Sequence, residues 1–168
     1  WTVLKNIFST SEIKDIRKKA KTKGSIDSLQ SDILSNPAIG NIVYDERIVS
    51  SVEYLLDGSL SYFGEGRLLI ENKNGRKGGS FHRDNPDRNE PYGPDWKSRY
   101  DVVRVGIYLE DHKNHAEGLG LFSGSNKNSS FLPKGLVLPD NAPITAGDVL
   151  VWTLTTMHVG YPKKIKFL

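Results

Sequence analysis

The stretch "GDVLVWTLTTMH", residues 147–158, decides how the second half of this chain folds. A Gly-Asp turn opens it, and the run that follows is rich in β-branched and aromatic residues, which favour a strand. Because the run is apolar at consecutive positions, the predicted strand lies in the core and ends near His158. Comparable short runs, separated by turn residues, recur from Arg67 onward: RLLIEN, YDVVRVGIYLE, LGLF, GLVLP and KIKFL.

The first 60 residues have a different, helical pattern. Ser9 and Glu12 have the spacing of a capping box ahead of an amphipathic run. Asp45 can cap a second helix, whose apolar face extends to a stop at Gly58. Between these two helices we expect a short one that closes before Pro37.

Helices followed by antiparallel strands predict an α+β protein whose β part is a sandwich or barrel, such as a jelly roll. The length of 168 residues suits one domain. We therefore expect a single domain over 1–168, with a helical lead-in over 1–60 and a β core over 67–168. From a first residue other than methionine and a strand-like last segment, we expect both termini to be incomplete.

The composition restricts the partners and the metal chemistry open to the chain. Lysine and arginine total 23 and aspartate and glutamate 20, all spread along the chain, so no basic stripe indicates nucleic-acid binding. No apolar run reaches the roughly 20 residues of a membrane span. Cysteine is absent, which fits a cytoplasmic protein and leaves histidine and carboxylates as metal ligands. The partner we expect is a small-molecule substrate.

Three residues have the types and order of a metal site. His82 and Asp84 lie one residue apart, and the glycines and proline beside them allow a strand-end bend that brings both side chains to one ion. An isolated His-x-Asp is also common as a surface pair. His158 is the candidate third ligand, the alternative being a packed core residue. Two histidines and one carboxylate are the set that forms the facial triad of non-heme Fe(II) oxygenases.

The motifs around these residues resemble the phytanoyl-CoA dioxygenase-like family of Fe(II)/2-oxoglutarate oxygenases. The likeness covers most of the chain: the helical lead-in, FHRD, VGIYLEDH, EGLGLFSGSNK and AGDVLVWTLTTMH. Family members typically have Gly-Ser-His after a Gly-rich turn. Here Gly124 and Ser125 match, and Asn126 replaces a histidine that usually lies outside the metal shell.

This resemblance implies a double-stranded β-helix, a jelly roll of the cupin kind, with the N-terminal helices packed on it. It implies Fe(II) bound by His82, Asp84 and His158, with 2-oxoglutarate and O₂ as cosubstrates. The implied reaction is hydroxylation of a small molecule, because the related halogenases lack the carboxylate that Asp84 provides.

The distal carboxylate of 2-oxoglutarate requires a cation, which the family usually provides as an arginine on the strand after the second histidine. This sequence has no arginine there. Lys164 and Lys166 alternate on the expected strand and can act as point charges. Arg104, inside an apolar run, is the other candidate, because a charge in a core strand needs a partner or a ligand. Solvation on an open sheet face is the alternative for all three.

The irregular stretch 85–98 follows the metal residues directly and is long for a simple connection. We expect it to border the substrate channel, with Arg88, Tyr92 and Trp96 as candidate substrate contacts. The alternative is that it packs away from the metal. A second histidine pair, in "EDHKNHAEG", lies in a hydrophilic, turn-like segment and is a weaker metal candidate.

Two other functions are compatible with the same residues. A cupin-like protein uses such a triad for isomerase or hydrolase chemistry, and a non-catalytic β-sandwich binding module has histidines in structural roles. The substrate and the oligomeric state do not follow from the sequence, because one fold hosts many functions.

Overall fold

The computed structural model describes residues 1–21, 32–69, 81–84, 90, 93–97, 101–112, 118–131 and 140–161. The α-helices are α1 (Thr10–Ala20) and α2 (Glu46–Leu56), and short 3-10 helices cover Ile33–Ser35, Gly40–Tyr44, Pro94–Trp96 and Ser125–Lys127. The strands are β1 (Thr2–Leu4), β2 (Val103–Ile107), β3 (Gly118–Leu121), β4 (Asp140–Asn141), β5 (Val149–Thr153) and β6 (His158–Tyr161). None of the helices in these ranges is long and apolar enough to cross a bilayer.

Both α-helices begin at the side-chain caps that the sequence predicts. The Ser9 hydroxyl accepts a hydrogen bond from Glu12 N, and the Glu12 carboxylate accepts one from Ser9 N at 2.7 Å, which confirms the capping box. Asp45 caps α2 by accepting from the second backbone N–H of that helix. The left-handed residue that ends α2 is Asp57, with φ of 55°, one position before the predicted stop at Gly58.

The strands form two three-stranded antiparallel sheets. The first has the order β1–β5–β2, and the second has the order β4–β3–β6. In the first sheet Val151 lies opposite Thr2 on one side and Val105 on the other. In the second sheet Leu121 lies opposite His158. The central position of β5 explains why its sequence is apolar throughout.

The two faces of β5 pack into two different cores, because successive side chains of a strand alternate. Val149 and Val151 face the helices, and Leu150 faces the second sheet through Leu121. Trp152 packs beside Leu150 at the edge of that second core. The helix-side core is completed by four buried residues, Phe8, Ile13, Ile48 and Val52. The described residues therefore form three layers: helices, first sheet and second sheet.

Two sequence predictions are wrong in detail. The lead-in is not wholly helical, because Thr2–Leu4 pairs with β5 as an edge strand. Three residues are too few to show a strand pattern in sequence. In addition, β5 ends at Thr153 and His158 opens β6, since residues 154–157 form a turn between the two strands.

Other predicted strands are only partly within the described residues. Residues 67–69 are not a strand, and the remainder of that run lies outside the described residues, as do the predicted strands over 135–139 and 164–168. The double-stranded β-helix therefore stays a prediction.

Candidate metal centre

The two histidines of the predicted triad are held side by side by their main chains. His82 N donates to His158 O at 3.0 Å, and His158 N donates to His82 O at 2.9 Å, which forms an antiparallel bridge at the start of β6. Their ring centroids are 4.4 Å apart. Asp84 lies in a bend two residues after His82, and this bend brings its carboxylate to the same place.

One ligand atom from each of the three residues lies within 4.8 Å of the others. His158 Nε2 is 3.8 Å from Asp84 Oδ1. Bonds of about 2.1 Å to a shared ion place ligand atoms roughly 3 to 4 Å apart, so little adjustment is needed. His82 is exposed, Asp84 is half-buried and His158 is 4% exposed, so the group has one side open to solvent. Two imidazoles and a carboxylate in this arrangement can hold a metal ion.

His158 presents the lone pair of its Nε2 to the site. Its Nδ1 is 2.9 Å from Thr156 O, and a carbonyl oxygen can only accept, so Nδ1 carries the proton. Burial lowers the pKa of His158 below its usual value, and His82 and Arg104 act in the same direction, against Thr156 and Asp84. A neutral imidazole with a fixed tautomer is the form that binds metal.

The turn that leads into His158 is supported from the next segment of the chain. Ser125 is fully buried, and its hydroxyl accepts from Met157 N at 2.9 Å and donates to Phe122 O at 2.6 Å. Gly124, which precedes it, has φ of 78°, a left-handed conformation that favours glycine. The Gly-Ser pair singled out in the sequence therefore holds the backbone next to the candidate metal ligand His158.

Arg104 contacts the carboxylate of the triad. Its Nε donates to Asp84 Oδ2 at 3.0 Å, and its Nη2 is 3.6 Å from Glu65 Oε2. The side chains of Arg104 and Asp84 are 33% and 16% exposed. The positive charge of Arg104 on β2 therefore has a carboxylate partner, Asp84, as we expected for a charge in an apolar run.

Trp152 forms a wall of the site beside His158. The two ring centroids are 5.8 Å apart in an edge-to-face arrangement. Gly106 on β2 leaves space for the indole, since a Cβ there would lie 3.2 Å from Trp152 Cζ3. The indole Nε1 is buried and has no hydrogen-bond partner within the described part of the chain.

Arg83, which lies between His82 and Asp84 in sequence, binds other segments of the chain. Its Nε donates to Thr155 O at 2.9 Å, and its Nη2 lies 3.0 Å from Asn128 O and 3.3 Å from Ser125 O. The guanidinium also lies over the Trp96 ring, 5.2 Å from its centroid. Trp96 is therefore packed close to the segment that carries the candidate ligands His82 and Asp84.

The remaining predicted site residues have different outcomes. Lys164, Lys166, Arg88 and Tyr92 lie outside the described residues, so their roles stay predictions. His112, from the weaker histidine pair, bridges by its backbone to Ile144 and packs against Tyr108. Among the described residues, the only group found with metal-ligand spacing is the triad itself.

Two contributors to the site were not predicted. Thr156 fixes the His158 tautomer through its backbone carbonyl, a contact that any residue type can make. Glu65 approaches Arg104 from a segment without regular secondary structure, and its sequence surroundings carried no sign of that contact. The only sequence feature that pointed to this contact was Arg104 itself, a charged residue in an otherwise apolar run.

No family model matches the chain, and no curated protein matches it. Among solved structures, the chain is similar to AviO1 from Streptomyces viridochromogenes Tue57, with a TM-score of 0.65 and 18% sequence identity. The match covers 94% of this chain and 80% of that chain. A likeness at this identity shows a shared fold, and it carries no conclusion about ligands or activity.

Proposed function

We propose that this chain is an Fe(II)/2-oxoglutarate-dependent dioxygenase that hydroxylates a small-molecule substrate. The observation that carries the proposal is the convergence of His82, Asp84 and His158 at the open edge of the second core. Two histidines and one carboxylate with open positions are typical of Fe(II) oxygenases. Under this proposal, the two antiparallel sheets belong to a double-stranded β-helix of the phytanoyl-CoA dioxygenase-like family.

The chemistry of the donor set fits Fe(II). His158 is neutral and its Nε2 lone pair faces Asp84 Oδ1, so no proton has to leave His158 before a cation binds. Bound Fe(II) would supply the oxidation chemistry, in which O₂ and 2-oxoglutarate are consumed and a substrate carbon is hydroxylated. Three protein ligands leave three positions of an octahedron for these molecules.

The protein groups around the triad have separate tasks in this proposal. Trp152 and the second core shield one side of the site from water. The contact between Arg104 Nε and Asp84 favours Lys164 or Lys166 as the cation for the distal carboxylate of 2-oxoglutarate. Arg88, Tyr92 and Trp96 are the candidate substrate contacts, and the position of Trp96 over Arg83 keeps one of them close to the metal segment.

An anaerobic titration tests the proposal. Addition of 2-oxoglutarate to the protein with Fe(II) should produce the weak visible charge-transfer band of the chelated cosubstrate, and O₂ should then remove it. A chain that binds metal but gives no band would be a metal protein of another kind, such as a cupin-like isomerase or hydrolase. A chain that binds no metal would be a binding module with structural histidines.

A further inference from the structure

Arg104 contacts one oxygen of Asp84, and the other oxygen faces the metal site. Its Nε donates to Oδ2 at 3.0 Å, whereas Oδ1 is the oxygen that lies 3.8 Å from His158 Nε2. Charge-assisted hydrogen bonds of this type are short and strong. The two oxygens of this carboxylate therefore have different surroundings before any ion binds.

Arg104 is itself held by the elements around it. It lies on β2, directly opposite Trp152 of β5, and its Nη2 is 3.6 Å from Glu65 Oε2. Its side chain is only 33% exposed, so water screens its pair with Asp84 less than it screens a surface ion pair. A guanidinium with contacts at two of its nitrogens resists rotation of the Asp84 carboxylate.

We propose that Arg104 is a positioning residue that keeps Asp84 a one-oxygen ligand of the bound metal. This inference rests on the metal centre of the proposed function. Without Arg104, the carboxylate loses this contact at Oδ2 and can bind the ion through both oxygens, which would occupy a coordination position. A one-oxygen ligand leaves that position open for a cosubstrate.

The direction in which metal affinity changes when Arg104 is removed distinguishes a positioning role from a purely electrostatic one. A guanidinium repels a nearby divalent cation, so removal of the positive charge alone would tighten metal binding. Loss of a residue that orients a ligand weakens metal binding, typically by about 10- to 100-fold. The two explanations therefore predict opposite changes in the same variant.

A Co(II) titration of the full chain, followed by visible absorption, makes this test. We expect Arg104→Met to bind Co(II) about 10- to 100-fold more weakly than the unchanged chain. Its d–d bands should also change, because two-oxygen binding by Asp84 would replace a water ligand of the ion and alter the ligand geometry. Arg104→Lys keeps the positive charge but lacks the Nε donor, so it should also bind Co(II) more weakly than the unchanged chain. The control is Arg17→Met, which breaks the ion pair with Glu110 beyond the other end of β2 and should leave both affinity and spectrum unchanged.

Equal or tighter Co(II) binding by Arg104→Met, or an unchanged spectrum, would overturn the positioning role and leave the metal centre in place. Failure of the unchanged chain to bind Co(II) would overturn the metal centre and, with it, the inference. If circular dichroism shows that Arg104→Met is unfolded, Arg104→Lys decides. Affinity and bands equal to those of the unchanged chain would then contradict the proposal.

Discussion

The two histidines of the triad have opposite surroundings, although both face the same candidate ion. His82 is exposed to solvent, and its backbone bridge to His158 does not depend on its side chain. His158 is 4% exposed, packs against Trp152 and donates from Nδ1 to Thr156 O. Replacement of His82 should therefore affect metal binding alone, whereas replacement of His158 should affect both metal binding and the stability of the fold.

This contrast predicts different stabilities for two alanine variants without metal. His82→Ala should change the free energy of unfolding by no more than about 0.5 kcal/mol, as is usual at the surface. His158→Ala should lose about 1 to 3 kcal/mol, because a buried ring and its hydrogen bond are removed. Urea unfolding of both metal-free variants measures these values. Equal losses of unfolding free energy in the two variants would show that the packing of His158 contributes little to stability.

The lysine candidates for the cosubstrate give a second prediction at the residue scale. If Lys164 or Lys166 binds the distal carboxylate, its replacement by Met should raise the apparent constant for 2-oxoglutarate roughly 10- to 100-fold, since a charge-assisted hydrogen bond is lost. Fe(II) binding should not change. If, at saturating Fe(II), neither lysine variant changes the constant and Arg104→Met does, the cosubstrate role belongs to Arg104.

At the scale of elements, the turn before β5 anchors the first sheet. The Asp148 side chain is fully buried and accepts hydrogen bonds at 2.9 Å from the backbone N–H groups of Asn6 and Thr145 and from Lys5 Nζ. Burial raises the pKa of Asp148, but these hydrogen bonds outweigh burial and hold that pKa below its usual value of 3.8. The ionised carboxylate thus links β1 to the start of β5.

Asp148→Asn should lower the free energy of unfolding by about 1.5 to 3 kcal/mol at neutral pH, because hydrogen bonds to a charged acceptor are lost. Since the folded pKa of Asp148 is lowered, its contribution is complete above the unfolded value of 3.8 and disappears as the pH falls through the folded value. Urea unfolding at neutral pH and below pH 3.8 should therefore show a difference between the two chains that shrinks in acid. A difference independent of pH would contradict this account.

Arg83 joins three segments by donating to backbone carbonyls and stacking on Trp96. Burial lowers the pKa of Arg83, and these carbonyl oxygens replace part of the water around its charge. Arg83→Met should lower the free energy of unfolding by about 1.5 to 3 kcal/mol in urea. The control Arg17→Met, which breaks a half-exposed ion pair, should cost less than about 1 kcal/mol. Equal effects would show that the carbonyl contacts of Arg83 contribute little.

At the scale of the whole molecule, elements with local signals were predictable and elements made by long-range pairing were not. The capping box of α1, the cap of α2 and the continuous apolar run of β5 are encoded in neighbouring residues, and the structure confirms them. β1 is a strand only because β5 lies beside it. The turn of residues 154–157 likewise depends on its support from Ser125, which is distant in sequence.

The same distinction between local signals and long-range contacts applies to the candidate site. The residue types and order of the triad were readable in the sequence, as was the bend that His82 and Asp84 require, because alternate side chains of a strand lie about 7 Å apart. The structure confirms a bend at Asp84 and adds a bridge from His82 to His158. The contact from Arg104 to Asp84 spans 20 positions and depends on the folded sheet. No local pattern could have shown it.

The most direct test of the central claim is the stoichiometry of metal binding in alanine variants. Anaerobic calorimetric titration with Fe(II) should show one ion per chain, and this binding should be lost in His82→Ala, Asp84→Ala and His158→Ala. His112→Ala is the matched control, because His112 lies outside the triad and should keep one ion per chain. Retention of tight Fe(II) binding in any triad variant that remains folded, or its loss only in His112→Ala, would contradict the assignment of the metal centre.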